Sequence, residues 1–408
     1  MTKLEQLIKD LCPEGVKEYR VADVADTFIG LATSVTKYKA DSGVQLLHNS
    51  DISEGKINVK TLEYITDEFA QKNSKKLLRT NDIITVHTGD VGTSAIITEE
   101  FDGCIGFTTI SSRVKDTGFL VPEYLCVFLN SNLCKEQIAS KTISDRNNLN
   151  LASFDEILIP IPHIEIQREI VGIINNFTEL TAELTAELTA RKKQYEYYRD
   201  HLLAFNTPAI KSLTIEEIFT IKGGYTPSKN SAEFWENGDI PWFRVEDINT
   251  NGRVLTDAIQ HVTKAAVKKS GLFKENSIII TTSATIGEYA LIRVPFLCNQ
   301  RFTCLTLKDE YKDLILPEFL LHYCYKLSEF CKSHLNVGNF ASVDMAQFNK
   351  FRIPIPSIET QERLISILDN FDAICTDLNI GLPAEIEVRQ KQYEYYRDKL
   401  LTFKEKEA

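Results

Sequence analysis

Lys72, Lys75, Lys76 and Arg79 crowd the segment before the apolar run Asp82–Thr88, and Lys264, Lys268, Lys269 and Lys274 do the same before Ile278–Thr282. Cations in this pattern suit contacts to nucleic-acid phosphates, which position a protein on a strand without reading its bases. Solvated surface charge is the plainer use of such lysines, and both uses stand at this stage. The segment Lys222–Lys229, KGGYTPSK, joins glycines that permit close backbone approach to hydroxyls, an aromatic ring and further cations. Lys222, Tyr225, Thr226, Ser228 and Lys229 are therefore candidates for entering a groove, where base edges are read by hydrogen bonds. Arg146 and Asn147, next to Asn148, carry donors that reach base edges, whereas the counterpart Asn339-Phe340-Ala341 is nearly stripped of them. His87, Thr88, Arg244 and Ser283 complete the set of nucleic-acid contact candidates.

Catalysis finds no comparable foothold. There is no GxxxxGK followed by serine or threonine to cradle a phosphate, and Phe101–Gly106 (FDGCIG) lacks the spacing of a dinucleotide fingerprint. No Asn- or Asp-Pro-Pro-aromatic signature of amino-methylating enzymes occurs. The seven histidines form neither HExxH nor a helical metal pair. Glu54-Gly55-Lys56 and Glu310-Tyr311-Lys312 have the Glu-x-Lys form found in nuclease sites, but a tripeptide carries almost no information. No catalytic residue and no metal site is expected.

The net charge of −11 opposes nucleic-acid binding by the surface as a whole, so any such binding needs local basic patches or basic partners. Nine cysteines without a CxxC pair suit reduced thiols in the cytoplasm. No apolar run reaches membrane-spanning length, and the start, MTKLEQLIKDLCPEG, has no secretory core.

The elements that position these residues come in two copies. Ile159–Phe177, IPIPHIEIQREIVGIINNF, matches Ile353–Phe371, IPIPSIETQERLISILDNF, at 10 of 19 positions and an offset of 194. Lys193–Phe205, KQYEYYRDHLLAF, returns at Lys391–Phe403 with 11 of 13 positions identical. VADV (Val21–Val24) echoes IEEI (Ile215–Ile218), VPEYL (Val121–Leu125) echoes LPEFL (Leu316–Leu320), and Asn81–Gly92 parallels Asn276–Gly287. A tandem duplication of roughly 195 residues follows, domain-sized rather than a short array repeat. The first parts of each copy have diverged, through drift or because one scaffold carries two different readers.

Those first parts mix short strand-like runs with turns such as Gly223–Asn230 and Glu54–Lys56, and helices are expected near Pro122–Gln137 and Pro317–Cys331. After each extended IPIP, apolar residues recur in steps of three or four: Ile170, Ile174, Phe177, Leu180, Leu184 and Leu188, then Ile365, Leu368, Phe371, Cys375, Leu378 and Leu382. A helix from His163 to Phe205 would run about 60 Å, and Gly381-Leu382-Pro383 should break its counterpart. Burying both stripes against each other favours an antiparallel pair. IPIP to KQYE is four residues longer in the second copy, the length of one TAEL tetrapeptide from Thr181–Ala190. TAEL is either plain helix-favouring sequence or a ruler between two heads.

The pairing of IPIP…Q…F with KQYEYYRD…LL.F, the TAEL repeats, and GGYTPSK followed by Phe234-Trp235, Ile240-Pro241-Trp242 and Asp247-Ile248 resembles the specificity subunit of type I restriction-modification enzymes over the whole chain. The first copy departs by showing Ile29-Gly30-Leu31 where the second has the Gly-Gly turn. The resemblance implies an α+β fold: two globular target recognition domains in tandem, each followed by a long helix, the helices forming an antiparallel coiled coil with pseudo-two-fold symmetry. The implied bounds are 1–155 and 206–349 for the recognition domains, and 156–205 and 350–408 for the helical spacers. Implied partners are double-stranded DNA, methyltransferase subunits (two of them) and motor-nuclease subunits. S-adenosylmethionine, ATP and Mg would reside on those partners and no cofactor on this chain. Tyr195, Tyr198, Tyr393, Tyr396, Leu180, Leu184 and Leu188 would pack the helices or meet partners. Rival readings are a self-sufficient DNA methyltransferase, opposed by the missing catalytic motifs, and a coiled-coil adaptor between two proteins, opposed by basic clusters at equivalent places.

Overall fold

The apolar runs become strands and the long periodic segments become helices in the computed structural model, which describes residues 2–141, 148–205, 210–336, 341–376 and 381–406. The chain gathers into two compact units, Met1–Ala186 with Ala384–Ala408, and Glu187–Pro383. The division runs through the helices rather than at their starts.

The first unit contains β1 (Ala25–Ile29), β2 (Val44–His48), β3 (Ile83–Val86), β4 (Ser94–Ile96), β5 (Ile105–Phe107) and β6 (Thr109–Val114). An antiparallel sheet runs in the order β1-β6-β3-β4, with Ser111 opposite Phe28 on one side and Ile84 on the other. In a second sheet β5 pairs parallel to β2, placing Gly106 opposite Leu47. The second unit repeats the plan with β7 (Phe219–Gly223), β8 (Ile240–Phe243), β9 (Ser277–Thr281), β10 (Tyr289–Ile292), β11 (Leu297–Cys298) and β12 (Phe302–Leu307). Its main sheet runs β7-β12-β9-β10 and continues onto Val254–Leu255, while β11 pairs parallel to β8. All residues of β3 and β9 are buried, so the IIT runs form the sheet centres.

The helices include α1 (Pro122–Leu129), α2 (Asn132–Lys141), α3 (Ile164–Leu202), α4 (Pro317–Ser333), α5 (Ile358–Thr376) and α6 (Leu382–Leu400). The expected single helix at Pro122–Gln137 is thus two. Asn130 causes the break: its amide exchanges hydrogen bonds with the backbone of Ser94 (2.9 Å each way) and also donates to Cys126 O. The counterpart α4 has no such break. At 39 residues α3 is about 58 Å long. As expected, α5 and α6 are separate helices, and Pro383 sits in the first turn of α6, where a missing N–H costs little.

Both IPIP segments form strands that close their own repeat, Ile159 opposite Tyr19 and Ile353 opposite Leu213. The glutamine after each IPIP is wholly buried. Gln167 accepts from Val121 N (2.9 Å) and donates to Phe119 O and Pro162 O. Gln361 repeats the pattern on Leu316 N, Leu314 O and Pro356 O. Each helix is thereby tied to the N-cap residue just before α1 or α4.

In the second unit α3 and α5 run antiparallel. Lys192 lies near Cys375, Tyr195 bonds Asp372, and Tyr195 and Tyr198 both stack on Phe371 at 5.8 Å. The expected pairing is therefore present, and the first unit repeats its aromatic contact, Phe177 on Tyr396 at 5.5 Å. The KQYEYYRD segment after the first repeat packs in the second unit, and that after the second repeat in the first. Arg397, 1% exposed, pairs with Glu54 at 3.0 Å while Asp398 accepts from Asn132, and Asp200 pairs with Lys326 at 3.3 Å. All nine cysteines are free thiols.

Replacing Gln361 by leucine strips three backbone groups of their wholly buried partner, and a cost of about 2–4 kcal/mol in urea unfolding of the full chain is expected. Gln6→Leu, at a half-buried site whose side chain bonds Asp10 alone among the described residues, should change stability by less than about 0.5 kcal/mol.

Candidate nucleic-acid interface

The site candidates fall into two groups, those committed to holding the fold and those left to solvent. Lys72 pairs with Glu68 at 2.8 Å on an exposed helix face. Lys76 turns inward and donates to Gly30 O at 2.8 Å. Lys75 and Arg79 are exposed and their side chains have no hydrogen bond or ion pair among the described residues. Beneath them Arg113 grips Asp82 through two nitrogens, at 2.8 and 2.6 Å, and Asp82 also accepts from Arg79 N. In the second unit Lys268 and Lys269 are exposed, and Lys274 stands 3.8 Å from Asp309.

Loops following the central strands meet at one edge of each unit. Behind β3, the His87 ring contacts Leu149 O, Thr88 forms an antiparallel bridge with Asn148, and Asn49 donates to Thr88 O at 3.1 Å. Arg146 and Asn147 lie outside the described residues, as do Asn339 and Phe340. Behind β9, Ser283 bridges Ser342 and Val343 N donates to Thr282 O. Lys222, at the end of β7, is exposed, as are Ser228 and Lys229.

Tyr225 is less free than its loop position suggests. Its hydroxyl donates to Ala266 O at 3.0 Å, and Lys268 Nζ sits 4.1 Å over its ring. Trp242 donates to Tyr225 O and Trp235 to Ser228 O, so two tryptophans packed edge-on at 5.0 Å shape the GGYTPSK loop. Thr226 donates to the Gln300 amide oxygen.

The glycine missing from the first repeat proves unnecessary. A Cβ at Gly30 would meet Gly106 O at 2.2 Å, and one at Gly224 would meet Asn299 O at the same distance. One glycine per repeat therefore fills the role that requires close approach.

Arg244 follows β8, its backbone N–H held by Asp247 at 2.6 Å and its guanidinium by Glu246 at 2.8 Å. His48, the last residue of β2, holds the equivalent place, with its N–H on Asp51 at 2.9 Å. Asp51 and Asp247 are buried, and each also accepts a second backbone N–H, from Lys60 and Ile259. One fixed capping aspartate thus carries two different outward residues. His48 was not among the sequence candidates, although HNSD (His48–Asp51) against RVED (Arg244–Asp247) was visible as an echo. The His48 ring contacts Glu63 at 3.2 Å, and Lys39 with His48 holds that carboxyl below its ordinary range.

On the helices Tyr195 and Tyr393 are half-buried beneath Arg199 and Arg397. Tyr198 and Tyr396 remain 40% and 41% exposed, beside Tyr197 and Tyr395 at 66% and 61%. Leu184 and Leu188 are half-buried and Leu180 is 48% exposed. Among the described residues no group of three or more His, Cys, Asp and Glu side chains is placed to hold a metal ion, and no helix is long and apolar enough to cross a membrane.

The family described as the type I restriction modification DNA specificity domain matches residues 13–191 and again 210–388. The chain belongs to this family. It is similar to the specificity subunit of the type I restriction enzyme EcoprrI of Escherichia coli, 51% identical over 206 residues, 49% of this chain and 51% of that relative. A second E. coli type I specificity subunit is 41% identical over 274 residues, 63% of this chain and 66% of the relative. The matches thus span about half to two thirds of these relatives' lengths. A chain from a solved type I restriction-modification system superposes with TM-score 0.69 at 18% identity, covering 96% of this chain and 98% of that one. The HsdS subunit from Thermoanaerobacter tengcongensis gives 0.53 at 18% identity, covering 96% of each. These structural likenesses support the family's two-headed α+β fold.

Replacing both Lys75 and Arg79 by alanine should leave the unfolding free energy within about 0.5 kcal/mol of the parent, because neither side chain holds the fold. Arg113→Ala, which strands the buried Asp82 carboxylate, should cost about 3 kcal/mol or more in the same urea titration.

Proposed function

We propose that this chain is the DNA sequence-recognition subunit of a type I restriction-modification assembly and does no chemistry itself. The observation that carries the proposal is the duplicated scaffold with unlike side chains at matched edge positions, His48 against Arg244, each held by the same buried capping aspartate. Two such heads bind an asymmetric bipartite site, because each faces its own half-site with different donors and acceptors. The recognition domains are taken as 1–155 and 206–349, with the helical segments 156–205 and 350–408 as spacers.

Lys75, Arg79, Lys268, Lys269 and Lys229 supply phosphate contacts. His87, Thr88, Arg146, Asn147, Thr226, Ser228, Arg244 and Ser283 face base edges. Lys76 and Tyr225 support these loops from within, through Gly30 and Ala266, while Lys72 pairs with Glu68 on the exposed face. The exposed tyrosine pairs, Tyr197 with Tyr198 and Tyr395 with Tyr396, recur with nearly the same ring angle, 74° in both. They are suited to docking two methyltransferase subunits, with motor-nuclease subunits joining the assembly. S-adenosylmethionine, ATP and Mg belong to those partners, which also offset the −11 charge. The assembly works in the cytoplasm, where the thiols stay reduced.

Sequencing methylated DNA from cells that carry this chain with its cognate methyltransferase should show a bipartite adenine-methylated motif that is lost without the chain. A soluble complex that yields no motif would instead favour the protein-adaptor reading. Deleting Thr181–Leu184 removes about 6 Å of helix, so the spacer should shorten by about one or two base pairs at roughly 3.4 Å per pair. Changed half-sites at an unchanged spacer would refute the ruler.

A further inference from the structure

The two units turn from their parallel edge strand into the central strand differently. In the first, Gly30 N donates to Thr109 O at 2.9 Å and Leu31 N to Gly106 O at 2.7 Å. In the second, Gly224 N donates to Phe302 O at 2.9 Å and Tyr225 N to Cys298 O at 2.8 Å. These paired bonds equate Thr109 with Phe302 and Gly106 with Cys298. Phe107 and Thr108 lie between the first pair, and Asn299, Gln300 and Arg301 between the second, so the second loop is one residue longer.

That added length changes what the loop presents. Thr108 takes a left-handed conformation (φ 52°) and its hydroxyl donates to the neighbouring Phe107 O at 2.8 Å, so it is spent on its own backbone. Asn299, Gln300 and Arg301 are instead stitched down by main-chain bonds: Asn299 N to Phe243 O (3.1 Å), Arg301 N to the Asn299 side chain (3.0 Å), and Thr282 N to Arg301 O (2.9 Å). Gln300 is exposed, and Thr226 of the GGYTPSK loop fixes its amide oxygen. Arg301 is exposed and its side chain has no hydrogen bond or ion pair among the described residues.

We propose that Arg301 reads a guanine in the half-site bound by the second unit, with Gln300 positioned beside it as a second base contact; this rests on the DNA-recognition reading above. A guanidinium presents a rigid fork of donors that matches guanine O6 and N7, and a carboxamide offers its N–H groups to neighbouring acceptors. The stitched backbone sets where these side chains begin, which distinguishes them from the loosely held lysines of the basic clusters. The guanine contact belongs to the second unit alone, because the matched turn of the first ends on the self-satisfied Thr108.

The test uses the full chain assembled with its methyltransferase partner on a randomised DNA library, with methylated sites sequenced. Arg301→Ala and Arg301→Lys should each lower discrimination at a single G·C position of one half-site by about ten- to hundredfold. The other half-site and the spacer should stay unchanged. Gln300→Ala should relax an adjacent position of the same half-site. If Arg301→Ala discriminates like the parent at every position, the side chain reads no base and the proposal is overturned. Uniform weakening of every position overturns it too. Should Arg301→Ala fail to assemble, the lysine variant and Gln300→Ala decide the matter. A parent complex without any bipartite motif would instead overturn the recognition reading itself.

Discussion

A buried carboxamide fixes each long helix to its head. Gln167 and Gln361 sit in the first turn after IPIP, in places where an unsatisfied amide would cost several kcal/mol on an apolar scale. Each accepts from the N-cap residue before the domain's proline-started helix and donates to two carbonyls. Two of the three bonds reach chain segments some 45 residues earlier. The geometry admits essentially one direction for the helix as it leaves the sheet. No other polar residue offers both a donor pair and an acceptor at that length, which accounts for glutamine at this position in both repeats, within a segment the two copies share.

With direction set by the glutamine, the aromatic residues fix register. Phe177 meets Tyr396 and Phe371 meets Tyr198, so each repeat's phenylalanine uses the other repeat's tyrosine. The arginine that follows the tyrosines then closes each unit. Arg397 is almost fully buried, which is tolerable because Glu54 pairs with it and the Tyr393 ring lies 5.3 Å away. Arg199 lies on Tyr325 instead, 3.3 Å from the ring centre. The same sequence is thus satisfied by a carboxylate in one unit and chiefly by a ring in the other. A short segment held on two different surfaces explains why KQYEYYRD stays the same while its neighbours change.

The duplication, the extended IPIP, the break at Gly381–Pro383 and the helical pairing were legible because each rests on local periodicity or on identity between copies. The split of α1 from α2 was not. It depends on Asn130 reaching Ser94 on β4, a contact that residue type alone does not announce. The crosswise placement of KQYEYYRD was hidden for a different reason, since order along the chain associates each helix with the head before it. Among the site candidates, lysine clusters were visible as composition, yet Lys76 proved to be a backbone clamp on Gly30. Conversely Gln300 and Arg301 looked ordinary in sequence and emerge only when hydrogen bonds align the two repeats, while His48 left only the faint echo of HNSD against RVED.

The division between fixed and variable residues follows from which atoms hold the loops. At the sheet edges the loops are stitched mainly by backbone N–H and C=O groups and by a few buried caps, Asp51 and Asp247 above all. Backbone bonds are indifferent to side-chain identity, so outward residues there change without stranding a buried partner. The glutamine anchors are side-chain bonds in dry surroundings, where loss of one partner leaves the others unsatisfied, and the half-exposed Phe–Tyr contacts depend on both rings. Drift after duplication is therefore channelled to the edges. The phosphate contact proposed for a chain of net charge −11 is supported by the exposed cations Lys75, Arg79, Lys268 and Lys269, none of which pairs with a carboxylate among the described residues. Acidic side chains elsewhere, beyond a Debye length of about 8 Å, are largely screened from that contact.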